Sequence, residues 1–183
     1  MLPKLVILDR DGVINYDSPD YIKSPEEWIP IESSLQAIRL LNEHGILVGV
    51  ASNQRGVGRG LYDEATLALI TEKMYQACAD VGAHIDAWRY CPALERTHPD
   101  HKPNPGMLLS IMDEFNISPQ DDSVYFVGDK LSDVEAAINA QCLPIMVETG
   151  YGKESSAEAI AQYLDLPIYT NLLAFVEALL KDD

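Results

Sequence analysis

The sequence predicts an α/β fold of three layers, with a mostly parallel central sheet and helices on both of its faces. Three features carry this reading. Leu5-Val6-Ile7-Leu8 is a run of four apolar residues, the pattern of a strand buried on both faces. Comparable short runs recur at residues 46–51 and 123–127, separated by longer stretches with apolar residues at helical spacing. Polar residues and glycines follow each run at once, where open parallel sheets place their ligands.

Asp9-Arg10-Asp11-Gly12 ends the first strand. Two acids beside a tight turn suit a hard cation such as Mg²⁺, which prefers oxygen ligands. Asp and Gly are also ordinary turn residues, so the pair acquires meaning only with partners elsewhere. Residues 16–30 contain three prolines and no clean period, and read as a loop able to reach over a pocket, with Trp28 packed down. Ser33 or Ser34 is the expected cap of a helix carrying Leu35, Ile38 and Leu41 and ended by Gly45. After the strand at 46–51, Ser52-Asn53-Gln54-Arg55-Gly56-Val57-Gly58-Arg59-Gly60 supplies a hydroxyl, amides, two guanidinium groups and three glycines, a composition that can cradle phosphate oxygens. Residues 63–81 carry Leu67, Ile70, Met74, Ala77 and Val81 at helical spacing, expected core. A strand is expected over 85–90.

Lys102 precedes Asn104-Pro105, read as cap and first turn of a helix with Leu108, Met112 and Phe115. The strand at 123–127 ends in Gly128-Asp129-Lys130, with Ser132 or Asp133 able to cap the helix through Ala140. A strand over 143–147, a turn at Gly150-Tyr151-Gly152, helices over 155–164 and 172–180 and a short strand near Ile168 complete the chain. No internal repeat or second domain is evident, so one domain over 1–183 is expected.

Asp9-x-Asp11-Gly12-x-x-Asn15 after a hydrophobic strand resembles the first motif of the haloacid dehalogenase superfamily. Ser52-Asn53-Gln54, Lys102-Pro103 and Gly128-Asp129-Lys130 with Asp133 resemble its remaining motifs, in order. Asp-Arg-Asp-Gly-Val-Ile-Asn, Tyr-Ile-Lys-Ser-Pro-Glu-Glu-Trp, Ser-Asn-Gln-x-Gly-Val-x-Arg-Gly and Lys-Pro-x-Pro-Gly-Met are similar to one narrower family, the D-glycero-D-manno-heptose-1,7-bisphosphate 7-phosphatases, relatives of histidinol phosphatase. The likeness runs from about Leu5 to Gly152. It implies a Rossmann-like fold with minimal or no cap domain and a Mg²⁺-dependent phosphatase of sugar phosphates.

The resemblance implies roles residue by residue. Asp9 is the expected nucleophile and Asp11 the general acid and base. Asp9, Asp129 and the Asp11 backbone carbonyl would hold Mg²⁺. Ser52, Asn53 and Lys102 would hold phosphoryl oxygens, with Lys130 near the metal. The segment from Asp17 to Tyr21 would meet the sugar, and Gln54, Arg55, Arg59 and His101 complete the expected substrate contacts.

The family's structural zinc loop, Cys-x-His then Cys-x-Cys before Arg-Lys-Pro, is degenerate here. Cys91 remains, Ala93 stands at the His position, and His98 and Asp100 fall at the second pair. Structural zinc takes four ligands, so zinc is not expected. His101 replaces the Arg that in the family helps to recognise the far phosphate, which keeps histidinol phosphate or another small monoester open as the alternative substrate. A non-catalytic phosphate-binding domain is a third reading, disfavoured by the intact acids.

Thirteen Lys and Arg against 29 Asp and Glu give a net charge of −16, which argues against nucleic acid or an anionic membrane as partner. A phosphate ester then requires a local reversal of field, for which Mg²⁺, Lys102, Lys130, Arg55 and Arg59 are the candidates. Three scattered cysteines make no disulfide framework, and no signal peptide or membrane span is evident, so a cytoplasmic monomer is expected.

Overall fold

The computed structural model describes residues 2–120 and 122–181. Six parallel strands, β1 (Leu5–Leu8), β2 (Leu47–Asn53), β3 (Ala87–Cys91), β4 (Val124–Gly128), β5 (Leu143–Val147) and β6 (Ile168–Tyr169), form one sheet in the order β3-β2-β1-β4-β5-β6. Strand β1 is central because its four residues are wholly buried and it pairs on both sides, Leu8 lying beside Val50 and Val127. The chain builds outward from β1 through β2 to β3, then returns to its other side with β4. The order therefore reverses at β1, and the crevice beyond its carboxyl end is where such sheets bind ligands.

Alternation along the strands divides the core. Val6, Leu8, Val48 and Val50 face α1 (Glu32–Glu43), α3 (Glu64–Asp80) and α7 (Leu172–Lys181). Leu5, Ile7, Val124 and Phe126 face α4 (Gly106–Glu114) and α5 (Leu131–Asn139). Helix α6 (Gly152–Gln162) covers β5 through Ala159 and Met146, and α2 (Arg55–Gly58) is a single turn after β2. Trp28 is fully buried in the first core, as expected. Its loop is tied to α3 by the Lys73 ammonium, which donates to the carbonyls of Pro25 (2.6 Å) and Trp28 (2.8 Å).

Three expected caps fall elsewhere. Helix α1 starts at Glu32 behind Ile31, and the Ser34 hydroxyl donates instead to the Val13 carbonyl at 2.6 Å, pinning α1 to the segment after β1. Helix α4 starts at Gly106 behind Pro105, while the Asn104 amide donates to the carbonyls of Arg96 (2.7 Å) and His98 (2.9 Å) and closes the preceding loop. Helix α5 is capped at Lys130, and Asp133 sits three residues in, accepting from the Lys130 and Asp129 amides. Each diverted side chain satisfies a buried or loop-closing backbone group that local sequence does not reveal. Helix α6 also begins earlier than expected, at Gly152, and ends at Gln162.

Candidate active site

The carboxyl ends of β1, β2 and β4 and the entry to α4 converge on a cleft of about 410 Å³. Asp9, Asp11, Ser52, Asn53, Lys102, Asp17, Tyr21, Arg55, His101 and Lys130 all line it, although they come from five separate stretches of chain.

Asp9 follows Leu8 directly, and its amide donates to the Val127 carbonyl at 2.9 Å, so the backbone under it belongs to the sheet. Its Oδ1 accepts from the Arg10 amide (2.8 Å) and the Lys102 ammonium (2.9 Å), while Oδ2 accepts from no described residue. Lys102 is fully engaged, donating also to Asp133 (2.7 Å) and to the Ala51 carbonyl (3.0 Å). Its backbone is clamped by the Asn53 amide group, which accepts from the Lys102 N–H (3.0 Å) and donates to the Lys102 carbonyl (3.2 Å). Burial pulls the Lys102 ammonium down, but Asp133 and Asp9 outweigh it and hold it above its usual range, so it stays charged.

Asp129 lies across from Asp9, its Oδ2 accepting from the Tyr151 amide (2.9 Å) and its Oδ1 from the Lys130 ammonium (3.4 Å). Lys130 also reaches Asp17 at 3.2 Å. Burial pushes Asp9 up to about 6 against the pull of Lys102, and Asp129 up to about 8 against Lys130. Carboxylate oxygens of Asp9, Asp129 and Asp133 lie within 4.8 Å of one another. Asp9 and Asp133 share the Lys102 ammonium and Asp129 has Lys130, so the three acids are one positive charge short, and Asp9 Oδ2 has no donor among the described residues. An all-oxygen group short of positive charge fits a hard divalent cation.

The floor under Asp129 is made of Gly12 and Gly150. Both have positive φ (+90° and +60°), and a Cβ on either would stand 2.2 Å from Asp129 Oδ2. Gly150→Ala is therefore expected to lose about 1–3 kcal/mol of stability and to blunt the rise in thermal midpoint on adding Mg²⁺, read by calorimetry with and without metal.

Asp11 is turned away from this pair. Its Oδ1 accepts from Arg10 Nε (2.9 Å) and Asn15 Nδ2 (2.9 Å), and its Oδ2 from Arg10 Nη2 (3.0 Å) and Gln54 Nε2 (3.0 Å). Burial raises its proton affinity, but the Arg10 charge and the hydrogen bonds from Asn15, Gln54 and Arg10 override it and hold the carboxyl below its usual range. The side chain has no free oxygen for a metal, so any contribution from Asp11 would come from its backbone carbonyl.

The remaining expected contacts divide. Ser52 Oγ accepts from Gln54 Nε2 at 2.8 Å at the foot of the cleft. Arg55 lines the cleft with its Nε buried and unpartnered among the described residues. His101 lines it too, with Nδ1 donating to the Ala93 carbonyl at 2.8 Å. Gln54 is 2% exposed and does not reach the cleft. Arg59 does not line it either; its guanidinium lies 5.7 Å from the Tyr21 ring centroid. Sequence reasoning gave no role to Arg10, a wholly buried arginine between the two acids, or to Tyr62, whose hydroxyl donates to Gln54. Arg10 carries a signal in its place between two aspartates; Tyr62 carries none.

This chain has close relatives. The family model described as "HAD-hyrolase-like" matches residues 100–174. The D-glycero-beta-D-manno-heptose-1,7-bisphosphate 7-phosphatase of Pseudomonas aeruginosa is 40% identical over 182 residues, covering 99% of this chain and 100% of that protein. The enzyme of the same name from Bordetella bronchiseptica is 44% identical over 160 residues, 85% of this chain and 86% of that one. A crystal structure of the B. bronchiseptica D,D-heptose 1,7-bisphosphate phosphatase complexed with magnesium and phosphate matches with a TM-score of 0.92 at 40% identity, covering 98% and 99% of the two chains. Relatedness along almost the whole length, on a sheet that brings the same motifs to one crevice, makes this chain a phosphatase of the haloacid dehalogenase superfamily and a member of the heptose-bisphosphate 7-phosphatase family.

Proposed function

We propose that this protein is a Mg²⁺-dependent phosphomonoester hydrolase that removes the 7-phosphate of D-glycero-D-manno-heptose 1,7-bisphosphate through an aspartyl-phosphate. The observation that carries the mechanism is Asp9. One oxygen is anchored by Lys102 and a backbone amide, and the other accepts from no described residue at the cleft. Phosphoryl transfer asks chiefly for alignment and charge neutralisation, and this arrangement provides both.

Asp9 Oδ2 attacks phosphorus as the bond to the leaving oxygen breaks, and Asp11 gives that oxygen its proton. Water, losing a proton to Asp11, then attacks the same phosphorus and frees Asp9 and inorganic phosphate. The four-donor setting holds Asp11 as the carboxylate; to carry the proton as the acid of the first step, and to take one from water in the second, it exchanges one of those donors for the reacting oxygen. Asp9 and Asp129 would hold the cation, which when bound neutralises charge on the phosphoryl oxygens. Lys102, its three donors taken by Asp9, Asp133 and the Ala51 carbonyl, acts on the same oxygens through its charge, and Ser52 lines the cleft beside it. Arg55 and Lys130 provide positive charge at the cleft in a chain of net charge −16, and Asp17 and Tyr21 stand where the sugar would lie.

The loop before Lys102 supports a reading without zinc. The Asn104 amide closes it, and His98 Nδ1 accepts from the Asp100 amide at 3.1 Å, with Cys91 Sγ 3.7 Å away. His101 favours a second substrate reading. Nδ1 donates to the Ala93 carbonyl, which leaves one ring nitrogen, Nε2, in place of the five-donor fork of an arginine, a poorer match to a second phosphate. Phosphate release with Mg²⁺ across the heptose bisphosphate, sugar monophosphates and histidinol phosphate decides between them. Preference for the bisphosphate is expected; preference for a monoester transfers the assignment, and silence across the panel leaves a binding module. No helix of the described residues is long and apolar enough to cross a membrane, and the cytoplasm and a monomeric state are proposed with the rest.

The cation reading also predicts a pH dependence. Asp9 and Asp129 are raised above their unfolded values, so they favour the fold while protonated, and that contribution is lost as pH rises through about 6 and about 8. The metal-free thermal midpoint should fall between pH 5 and pH 8.5, and the gain on adding Mg²⁺ should grow over the same window. Asp129→Asn should flatten both trends; if it leaves them unchanged, the pair is not the cation site.

A further inference from the structure

We propose that Gln54 is a positioning residue rather than a substrate ligand: with Arg10 and Tyr62 it forms a buried brace that fixes the orientation of the Asp11 carboxylate. The inference rests on Asp11 being the acid and base of the reaction.

The hydrogen-bonding capacity of Gln54 is exhausted inside the protein. Nε2 donates one hydrogen to Asp11 Oδ2 (3.0 Å) and the other to Ser52 Oγ (2.8 Å). Oε1 accepts from Tyr62 Oη (2.6 Å) and from Arg10 Nη2 (3.3 Å). An amide has two donors and two acceptor sites, so nothing remains for a substrate. The orientation of the amide is forced as well. Reversed, it would set its oxygen against a carboxylate and its NH₂ against a guanidinium.

The outer members are equally constrained. Burial pushes the Tyr62 hydroxyl up to about 12, so it is protonated and must be the donor to Gln54. Its ring fills a slot that a side chain at position 56 would close, since a Cβ on Gly56 would stand 2.3 Å from it. The Gln54 backbone is held to β3 by donation to the Cys91 carbonyl at 2.8 Å. Arg10 is wholly buried, with its guanidinium 6.0 Å from the Trp88 ring centroid. The two catalytic carboxylates are thereby assigned to different cations, Asp9 to Lys102 and Asp11 to Arg10. Acid–base work needs the carboxyl within hydrogen-bond reach of the reacting oxygen, and a free Asp side chain would leave that line.

The test compares leaving groups in the Mg²⁺-loaded enzyme. The p-nitrophenolate of p-nitrophenyl phosphate departs without a proton, whereas an alkyl phosphate needs one. Asp11→Asn sets the reference. Gln54→Leu should lower kcat on the best alkyl phosphate of the panel by about 10- to 100-fold. On p-nitrophenyl phosphate the loss should stay below about threefold, with KM within about twofold for both. Tyr62→Phe keeps the packing and should show the same bias at about three- to tenfold, which carries the test if Gln54→Leu does not fold. Equal losses on both substrates would make the brace merely structural, and a raised KM with kcat retained would return Gln54 to substrate binding; either overturns the proposal. If Asp11→Asn shows the bias and the brace variants do not, the proposal fails alone. If Asp11→Asn shows none, the acid–base reading of Asp11 fails and the brace falls with it.

Discussion

Asp9→Asn is expected to leave a folded protein whose turnover is lower by about 10⁴-fold or more. Asparagine matches the size of aspartate, and its Oδ1 can still accept from the Arg10 amide and the Lys102 ammonium, so both contacts that place the side chain survive. What is lost is the second oxygen, the one that no described residue engages, and with it the nucleophile proposed for the reaction. Folding should not suffer. Burial opposes ionisation of Asp9 strongly enough to hold it at about 6, so a neutral side chain relieves an unfavourable charge at pH 7.5. Phosphate release in the presence of Mg²⁺ measures the turnover, and mass spectrometry of acid-quenched protein reads the phosphoryl adduct. The parent should carry the adduct during turnover and the variant should not. A variant within about tenfold of the parent rate would mean that water attacks phosphorus directly and that Asp9 only holds the metal.

The legibility of this chain in its sequence followed physical lines. Strand β1 could be read because four consecutive apolar residues admit few alternatives, and its wholly buried position between β2 and β4 is the consequence. Asp9 and Asp129 could be placed because each stands immediately beyond a strand, where a side chain has little freedom to go elsewhere, and Lys102 because it lies in the short entry to α4. Direction is what sequence does not carry. Gln54 and Arg59 sit in a loop whose composition suits phosphate, yet Gln54 turns inward to Asp11 and Arg59 outward over Tyr21. Ser34 and Asn104 have the chemistry of caps but satisfy the carbonyls of Val13, Arg96 and His98, groups brought near by folding. Asp133 shows the same effect in reverse. A residue suited to a helix start also neutralises Lys102, because β4 and the entry to α4 end side by side.

Lys102→Met should damage stability and turnover together, and the pH dependence of the damage identifies its cause. The ammonium bridges Asp9 Oδ1 at 2.9 Å and Asp133 Oδ1 at 2.7 Å, with its side chain only 3% exposed and the Phe126 ring centroid 5.3 Å away. Methionine fills much of the same volume, so the loss is mainly of charge. Removing one member of a buried ionic cluster leaves the others uncompensated, worth roughly 3–5 kcal/mol, or about 10 °C in thermal midpoint for a chain of this size. Asp9 is held down chiefly by Lys102, so without it the carboxyl takes up a proton at higher pH still. A protonated Asp9 no longer repels Asp133. The deficit relative to the parent, measured metal-free, should therefore be large at pH 7.5 and clearly smaller at pH 5. Turnover should fall by about 10²- to 10³-fold, since a charge aimed at the phosphoryl oxygens is lost as well. An equal deficit at both pH values would assign Lys102 a packing role and would separate it from the Asp9 charge on which the mechanism depends.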